Sequence, residues 1–367
     1  MSNNYVAIMA GGIGSRFWPS SRASRPKQFL DILGVGKSLI QLTYARFAKL
    51  VPEENIFIVT NGQYSDLVKE HLPNITDNQI LCEPSRNNTA PCVAYTAFKL
   101  RSLNPDANFI VAPSDALVLK EAVFVEALQK ALDFTQTHGA IVTLGITPSR
   151  PDTGYGYINF NDAVEEAAPA TEGIGPVHRV IEFKEKPDGA TAQQYLDSGR
   201  YLWNAGIFVS KAKTMLSAFE HHAREIYRIL KEGEGQYNTT EEQSFIDRAY
   251  PTTPSISVDF AIMEKADNIY TIPVEFGWSD LGTWGSLHQE KEKDEQQNTG
   301  TAVKVLALNT TNTLVHAPRE KLVIIKDLDD YIVVDEEDVL MIFPKSQEQE
   351  IKALTKRIEE LEGKQYL

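Results

Sequence analysis

Apolar runs alternate with helical segments over the first 145 residues, and this alternation constrains the fold more than any other feature of the chain. Between the runs, apolar residues recur with the spacing of one helix face. Strands joined by helices form a mostly parallel sheet that is covered on both faces. The sequence therefore predicts an α/β fold, in which ligands bind at the carboxyl ends of the strands. The predicted strands occupy 5–9, 55–60, 79–82, 109–112 and 140–145.

The segment after the first predicted strand reads AGGIGSRFWP. Three glycines within four residues let backbone N–H groups approach an anion. Because basic residues follow in an acidic chain, the segment favours a polyphosphate-binding loop over a tight turn with solvated charges. It is not a P-loop, since Gly-Lys-Ser/Thr does not follow at the required spacing. It also lacks the dinucleotide fingerprint, since Phe17 stands where the third glycine or alanine belongs. The basic residues are Arg16, Arg22, Arg25 and Lys27.

Composition limits the partners of the chain. Its 367 residues suggest two domains, and its formal charge of −14 argues against DNA or RNA as a partner. The amino terminus lacks a signal peptide, and no apolar run approaches the length of a membrane span, so we expect a cytoplasmic protein without a membrane partner. The two cysteines provide neither a disulfide framework nor a zinc site.

Two aspartates follow predicted strands at positions suited to a metal ion. Asp115 comes after the strand at 109–112, and Asp280 comes after the apolar run 269–274. A single aspartate at a strand end more often caps a helix than binds a metal. Because Asp280 supplies a second carboxylate, and because Mg²⁺ prefers oxygen ligands, the pair indicates a magnesium site.

Glu83 follows another predicted strand, at 79–82, and begins a polar loop. Guanine presents two adjacent hydrogen-bond donors, N1–H and the exocyclic amine, and one carboxylate can accept both. Adenine offers no such pair. The alternative is that Glu83 is solvated while Asn88 or Thr89 caps the following helix. From the residues alone both interpretations stay open.

Beyond residue 298 the pattern changes to short β-rich runs separated by turn residues about every ten positions. This cadence is typical of a small appended β module. The last segment, 347–361, is predicted to form a helix with one apolar stripe. The stripe either packs on the body or contacts another subunit. The β-rich runs occupy 302–308, 313–316, 322–326, 331–334 and 339–343.

Six motifs together resemble the mannose-1-phosphate guanylyltransferases and cover essentially the whole chain. No single motif is specific, but six in the same order are. The FVEKP sequence usual in that family appears here as FKEKP, which leaves the glutamate and the lysine in place. The motifs are GGxGxRxWPxSR at 11–22 with PKQ at 26–28, EPxRN at 83–87, Asp115, EKP at 185–187, WNAG at 203–206 and WSDLG at 278–282.

The resemblance implies a fold, a reaction and an assembly. The fold would be a Rossmann-like nucleotidyltransferase domain over 1–290 and a small, left-handed β-helix-like domain over 291–367. The reaction would transfer GMP from GTP to mannose 1-phosphate with the help of Mg²⁺. The chain would form a homodimer through the carboxyl-terminal module. It is too short for the isomerase domain of bifunctional relatives, so we expect one activity.

The resemblance also implies a role for individual residues. Asp259 either holds residues that contact the substrate, without contacting it itself, or caps a helix. The nucleotide-binding set is Gly11, Gly12, Gly14, Ser15, Arg16, Lys27, Glu83, Asn87 and Thr89. The sugar-phosphate set is Gly154, Glu185, Lys186 and Asn204. The metal ligands would be Asp115 and Asp280, and the catalytic set would be Arg16, Lys27, Asp115 and Asp280.

Three rival functions stay open. The first is a pyrophosphorylase with another pairing of nucleotide and hexose, such as GDP-glucose, ADP-glucose or dTDP-glucose synthesis. The second is a non-catalytic subunit that senses GTP or a sugar nucleotide, although a sensor needs no complete pair of metal ligands. The third is a nicotinamide-dependent dehydrogenase, which the missing third glycine disfavours.

Overall fold

The computed structural model describes residues 3–166, 171–301, 304–318 and 321–367. It divides into two compact units, and the chain passes between them several times. This division differs from a simple boundary after residue 290, because two earlier segments group with the end of the chain. Unit 1 consists of Met1–Gly11, Tyr44–Ser114 and Val118–Trp278, and unit 2 of Gly12–Thr43, Asp115–Leu117 and Ser279–Leu367.

Unit 1 contains a nine-stranded sheet in the order β3-β2-β1-β4-β9-β6-β10-β8-β7. The strands from β3 to β4 are parallel, as predicted, and β6 is parallel to β10. Its strands are β1 (Asn4–Met9), β2 (Ile56–Asn61), β3 (Ile80–Glu83), β4 (Asn108–Pro113), β6 (Ile141–Ile146), β7 (Tyr157–Glu166), β8 (Val177–Lys184), β9 (Tyr201–Lys211) and β10 (Ile269–Val274). Two short strands are β5 (Leu117–Val118) and β11 (Trp278–Ser279).

The sheet is mixed, which corrects the prediction of a mostly parallel sheet. Strand β9 runs antiparallel to both of its central neighbours, β4 and β6. The cause lies in the connection: after β6 the chain makes the antiparallel pair β7–β8 and only then enters β9. A hairpin reverses the chain, whereas a helical crossover does not.

The middle of the sheet and the long helix Thr89–Leu103 are buried within unit 1. Helix α3 is buried from Ala90 to Leu100, and strand β1 is buried from Tyr5 to Ile8. No described helix has both the length and the apolar content needed to cross a membrane. The helices are α1 (Leu39–Phe47), α2 (Ser65–His71), α3 (Thr89–Leu103), α4 (Glu121–Thr137), α5 (Gly189–Ser198), α6 (Ala212–His222), α7 (Arg224–Lys231), α8 (Glu242–Ala249), α9 (Trp284–Glu290) and α10 (Ile351–Glu362).

Unit 2 contains the predicted β-rich module, built from two parallel ladders. One joins β13 to β15, and the other joins β12, β14 and β16, with β17 antiparallel at its edge. Side-chain hydrogen bonds repeat every 18 residues, from Asn309 to Asp327 and from Asn312 to Asp330. The left-handed β-helix form stays a prediction, and residues 302–303 of the first predicted run lie outside the described residues. The strands are β12 (Thr299–Thr301), β13 (Lys304–Leu308), β14 (Leu314–His316), β15 (Leu322–Lys326), β16 (Tyr331–Asp335) and β17 (Leu340–Pro344).

The glycine-rich loop shares its apolar core with this module. Phe17 and Trp18 are buried in one cluster with Trp284, Leu314 and Ile332. The Phe17 and Trp284 rings lie 4.9 Å apart between centroids, and the Trp284 indole N–H donates to the Trp18 carbonyl at 3.2 Å. The end of the loop is therefore fixed by packing within unit 2.

Polar contacts hold the same segment. The indole N–H of Trp18 donates to the carbonyl of Tyr366 at 2.8 Å. Arg22 forms a two-pronged ion pair with Asp338, and Ser20 donates to Glu336. Arg22, which the sequence placed among the basic residues near a polyphosphate, is thus engaged by a carboxylate of the module.

Replacement of Trp284 by alanine should destabilise unit 2. The substitution leaves a cavity against Phe17 and removes the hydrogen bond to Trp18, and such losses cost about 3–5 kcal/mol. Thermal unfolding should begin at a lower temperature. The control is Leu361→Ala, because that side chain is 69% exposed. Equal melting temperatures for Trp284→Ala and the wild type would contradict this account of the core.

Candidate active site

The glycine-rich loop is closed by direct contact between Gly14 and Lys27 in unit 2. Gly14 has a φ of +75°, and a Cβ at this position would lie 2.5 Å from the Cβ of Lys27. The backbone N–H of Lys27 donates to the carbonyl of Ile13 at 2.9 Å. The side-chain amide of Gln28 donates to the carbonyl of Gly12 at 3.0 Å. Only glycine fits at position 14, for reasons of both φ and space.

The ammonium group of Lys27 binds both predicted metal-site segments. Its Nζ lies 3.0 Å from Oδ2 of Asp115 and 2.9 Å from the backbone carbonyl of Asp280. The Lys27 side chain is 3% exposed, whereas that of Asp115 is 35% exposed. The structure therefore brings three of the four predicted catalytic residues together within unit 2.

The fourth, Arg16, lies on an exposed turn. A short 3-10 helix spans Ser15–Phe17, and Arg16 is exposed within it. No ion pair of Arg16 is found among residues 3–166, 171–301, 304–318 and 321–367. Its positive charge acts at longer range to lower the pKa of Glu348, which burial raises overall. Arg16 thus keeps its guanidinium available for an anion.

The donor set at Asp115 and Asp280 fits a divalent cation that is completed by substrate. Oδ2 of Asp115 is taken by Lys27, and within the described residues no other partner contacts that carboxylate. One carboxylate oxygen of Asp280 accepts the N–H of Gly282 at 3.0 Å. No described cluster of three or more His, Cys, Asp or Glu could hold a metal ion unaided. Mg²⁺ characteristically takes one or two carboxylates together with phosphate oxygens and water.

Glu83 lies at the end of β3 in unit 1 with its carboxylate buried. The side chain accepts a hydrogen bond from the hydroxyl of Tyr250. Burial raises the pKa of Glu83 to about 7, against the lowering effect of hydrogen bonds from Tyr250 and Cys92. A Cβ on Gly11 would lie 3.6 Å from Oε2, an ordinary contact distance. This oxygen therefore faces the start of the glycine-rich loop.

The side chains of Asn87 and Thr89 have partners inside unit 1. The amide of Asn87 donates to the carbonyls of Tyr250 and Thr253 at 3.0 and 2.9 Å. The hydroxyl of Thr89 accepts the backbone N–H of Val258 at 2.9 Å. Asn88, rather than Thr89, caps α3 through its side chain. The contacts give both residues a structural role, while their role in nucleotide binding stays a prediction.

The structure brings Glu185 and Asn204 together, but with Gly156 rather than Gly154. The carbonyl of Gly156 accepts the N–H of Asn204 at 2.8 Å. A Cβ on Gly156 would lie 2.7 Å from Oε2 of Glu185. Gly154 is exposed, and its N–H donates to Asp152. The signal for Gly156 was the second glycine of the TGYGY sequence, which flanks the same tyrosine.

Lys186 completes this group with an exposed ammonium. Its Nζ pairs with Oε1 of Glu185, and its side chain is 58% exposed while that of Glu185 is 5% exposed. Lys186 has a φ of +46°, an uncommon value for a lysine. A buried carboxylate beside an exposed ammonium can receive a ligand that carries both hydroxyl groups and a phosphate.

Two comparisons of sequence identify the family. The model described as nucleotidyl transferase matches residues 5–297. Mannose-1-phosphate guanylyltransferase of Salmonella muenchen is 35% identical over 357 residues, which are 96% of this chain and 72% of that protein. The chain belongs to the nucleotidyl transferase family. The predicted resemblance is confirmed, and as a member of this family the protein is an enzyme, a nucleotidyltransferase.

Further relatives agree with this placement. The alginate biosynthesis protein AlgA of Pseudomonas aeruginosa is 35% identical over 355 residues, covering 96% of this chain and 71% of that protein. The crystal structure of a protein named mannose-1-phosphate geranyltransferase from Thermus thermophilus superposes with a TM-score of 0.86 at 30% identity. That match covers 98% of this nucleotidyltransferase and all of the other chain. The mixed α/β fold of the nucleotidyltransferase is thus shared.

Replacement of Glu83 by glutamine should stabilise this nucleotidyltransferase at alkaline pH. Between pH 4.5 and 7 the folded protein keeps the Glu83 proton, which the unfolded chain has lost, so stability falls as pH rises. The shift to about 7 corresponds to a penalty of about 3 kcal/mol above pH 7, which glutamine lacks.

The measurement is the free energy of unfolding in urea at pH 5 and pH 8. The gain of Glu83→Gln over the wild type should appear at pH 8 and shrink at pH 5. Glu54→Gln, at an exposed position, should show no gain at either pH. A pH-independent difference for Glu83→Gln would refute the buried-carboxyl account.

Proposed function

We propose that the protein transfers GMP from GTP to α-D-mannose 1-phosphate and releases GDP-mannose and pyrophosphate. The observation that carries this proposal is the buried Lys27 ammonium beside Asp115 and Asp280, next to a glycine-rich loop. Relatives named mannose-1-phosphate guanylyltransferase support the choice of both substrates.

The reaction is an in-line displacement at phosphorus. A phosphate oxygen of mannose 1-phosphate attacks the α-phosphorus of GTP, and the bond to pyrophosphate breaks. No general base is required, because the nucleophile is already an anion. The protein must therefore position two polyanions and offset their repulsion, which is the work of oriented N–H groups and cations.

The glycine-rich loop and Lys27 would hold the triphosphate. Backbone N–H groups of Gly11, Gly12 and Gly14 would contact phosphate oxygens, with Ser15 adding a hydroxyl. The stem of Lys27 is packed against Gly14, so its Nζ is held in place before the substrate arrives. Arg16 is exposed and would close on the phosphates from the turn.

Asp115 and Asp280 would hold Mg²⁺. The ion would supply positive charge to the phosphate oxygens on both sides of the displacement. In the protein as described, Lys27 balances the negative charge of Asp115. The same lysine is thus placed to share the carboxylate with an incoming cation.

Glu83 would select the base. Its ionised form can accept both N1–H and the exocyclic amine of guanine. Because the pKa of Glu83 is raised to about 7, the carboxylate is ionised above neutral pH. Asn87 and Thr89 would fix the loop between β3 and α3 around the base, through the contacts of their side chains with Thr253 and Val258.

The second substrate would bind at Glu185, Lys186 and Asn204. Lys186 would bind the sugar phosphate with its exposed ammonium. Glu185 would accept hydrogen bonds from the hydroxyl groups of mannose. Asn204 would donate hydrogen bonds to them through its amide nitrogen. The resemblance implies that the backbone of Gly154 also contacts these hydroxyl groups, and the backbone of Gly156, which accepts the N–H of Asn204, would lie beside them.

The enzyme would act as a homodimer joined through the β module. The outer face of β13 and β15 exposes Leu306, Leu308, Leu322 and Ile324, with exposed fractions between 44% and 60%. These residues are neighbours, since Leu306 pairs with Ile324 in register. A contiguous apolar face exposed on a sheet marks an interaction site.

Identification of the reaction product tests the proposed function. Purified protein is incubated with GTP, ATP, dTTP or UTP, each with mannose 1-phosphate or glucose 1-phosphate, with and without Mg²⁺. We expect GDP-mannose and pyrophosphate from GTP and mannose 1-phosphate only in the presence of Mg²⁺. A faster reaction with another pair would replace the proposed substrates, and no product with any pair would favour a sensor.

Two lysine variants should separate the substrates. Lys27→Ala should lower kcat/KM for GTP roughly 100- to 1,000-fold, the usual cost of one fixed donor to developing charge. Lys186→Ala should mainly raise the KM for mannose 1-phosphate. Lys213→Ala, at an exposed site on α6, serves as the control with unchanged kinetics. These roles would be wrong if both variants impaired the kinetics of the same substrate, GTP or mannose 1-phosphate.

Charges on the outer face of the β module should break the dimer. The double variant Leu306→Glu and Ile324→Glu places two carboxylates opposite one another on that face, and it should sediment as a monomer. Ile181→Glu, at a residue of β8 that is 65% exposed, should leave the dimer intact. A monomeric wild type, or a dimeric double variant, would rule out this interface.

A further inference from the structure

Asp259 begins a short π-helical turn, Asp259–Met263, whose backbone is fixed against the start of α3. The N–H of Val258 donates to the hydroxyl of Thr89 at 2.9 Å. The N–H of Ala90 donates to the carbonyl of Ile256 at 3.0 Å. π-Helical turns are rare and occur frequently at functional sites. The position of Asp259 is therefore set by two hydrogen bonds on its amino-terminal side.

Asp259 receives a hydrogen bond from Asn204, whose amide can point in only one direction. Oδ1 of Asn204 accepts the hydroxyl of Thr143 at 2.9 Å and the N–H of Gly206 at 3.1 Å. The backbone N–H of Gly206 can only donate, so the amide oxygen lies on that side and the amide nitrogen on the opposite side. There it donates to Oδ1 of Asp259 at 3.1 Å. Among the residues that the structure describes, Asp259 is the one acceptor found for that nitrogen, which carries a second hydrogen.

A second carboxylate lies close to the first. The negative charge of Glu185 raises the pKa of Asp259, and burial raises it more, to about 7. The backbone N–H of Glu185 donates to Glu264 at 3.0 Å. The carboxylate of Glu185 is in contact with Lys186. Because burial and the neighbouring charge raise its pKa, Asp259 keeps its proton at a pH at which an ordinary aspartate is ionised. A protonated carboxyl group can donate one hydrogen bond to a neighbouring hydroxyl group and accept others.

We propose that Asp259 is a specificity-determining residue of the sugar-phosphate group, where it forms a hydrogen-bonding set for adjacent sugar hydroxyls together with Glu185 and Asn204. This inference rests on the proposed function. Asp259 is partly exposed, whereas Asn204 and Thr143 behind it are buried. Asp259 is thus the more exposed member of this hydrogen-bonded set.

The charge of Asp259 gives the binding of mannose 1-phosphate a pH dependence. Ionisation adds a negative charge close to an anionic substrate, so the KM should rise between pH 6 and pH 8. The charged groups that act on this carboxyl group are Glu185 and Lys186, and Glu264 accepts the backbone N–H of Glu185. The substrate phosphate titrates in the same range, so the comparison that matters is between the wild type and Asp259→Asn.

The test uses the full-length enzyme with GTP and two epimeric sugar phosphates. Asp259→Ala should raise the KM for mannose 1-phosphate roughly 10- to 100-fold, because a hydrogen bond between charged and polar groups is lost. The KM for GTP should stay the same. The preference for mannose 1-phosphate over glucose 1-phosphate in kcat/KM should fall. Asp259→Asn, which keeps the shape, should retain a lower KM than the alanine variant and lose the pH dependence.

The controls separate this inference from the proposed function and from simple unfolding. Asp267→Asn alters an exposed carboxylate eight positions later and should change neither KM. Thermal unfolding of each variant shows whether the protein is intact. If the wild type makes no GDP-mannose, the proposed function fails. If the wild type does and folded Asp259→Asn and Asp259→Ala keep the wild-type KM, selectivity and pH profile, only the role of Asp259 fails.

Discussion

The buried ammonium group of Lys27 is the interaction on which the candidate site depends. An unpaired charge in the protein interior is costly, so a lysine with 3% exposure requires oxygen partners. Asp115 and the carbonyl of Asp280 supply them, although they lie far apart in the sequence. Gly14 supplies the space for the lysine stem. One ion pair thereby organises three segments of unit 2 around the glycine-rich loop.

The sequence predicted the parts of the site that depend on backbone direction. Asp115 and Asp280 both follow strands, and the alternating pattern was sufficient to expect them near one another. Lys27 was predicted from its charge beside a glycine-rich loop. Side-chain partners were beyond such reasoning. Whether Arg22 contacts phosphate or Asp338 depends on a segment 316 positions away, and sequence spacing carries no information about that contact.

Other differences arise from choices that local patterns leave open. Gly154 and Gly156 flank the same tyrosine, and the pairing of β7 with β8, which sets Tyr157 opposite Lys184, decides which glycine lies near Glu185. The sequence did not predict the direction of β9, because its apolar run fits a parallel strand and an antiparallel strand equally well. Thr89 has the chemistry of a cap and of a ligand, and the structure uses its hydroxyl to hold the segment of Asp259. Tertiary contacts decided each case.

The 18-residue spacing of the β module has a consequence for how such chains can change in length. Asn309, Thr311 and Asn312 each contact the residue 18 positions later, so each layer repeats the geometry of the one before it. Insertion of one complete layer would give every new polar turn a partner above or below. Insertion of about half a layer would leave those side chains unmatched. We therefore expect natural variants of this module to differ in length by whole layers rather than by parts of one.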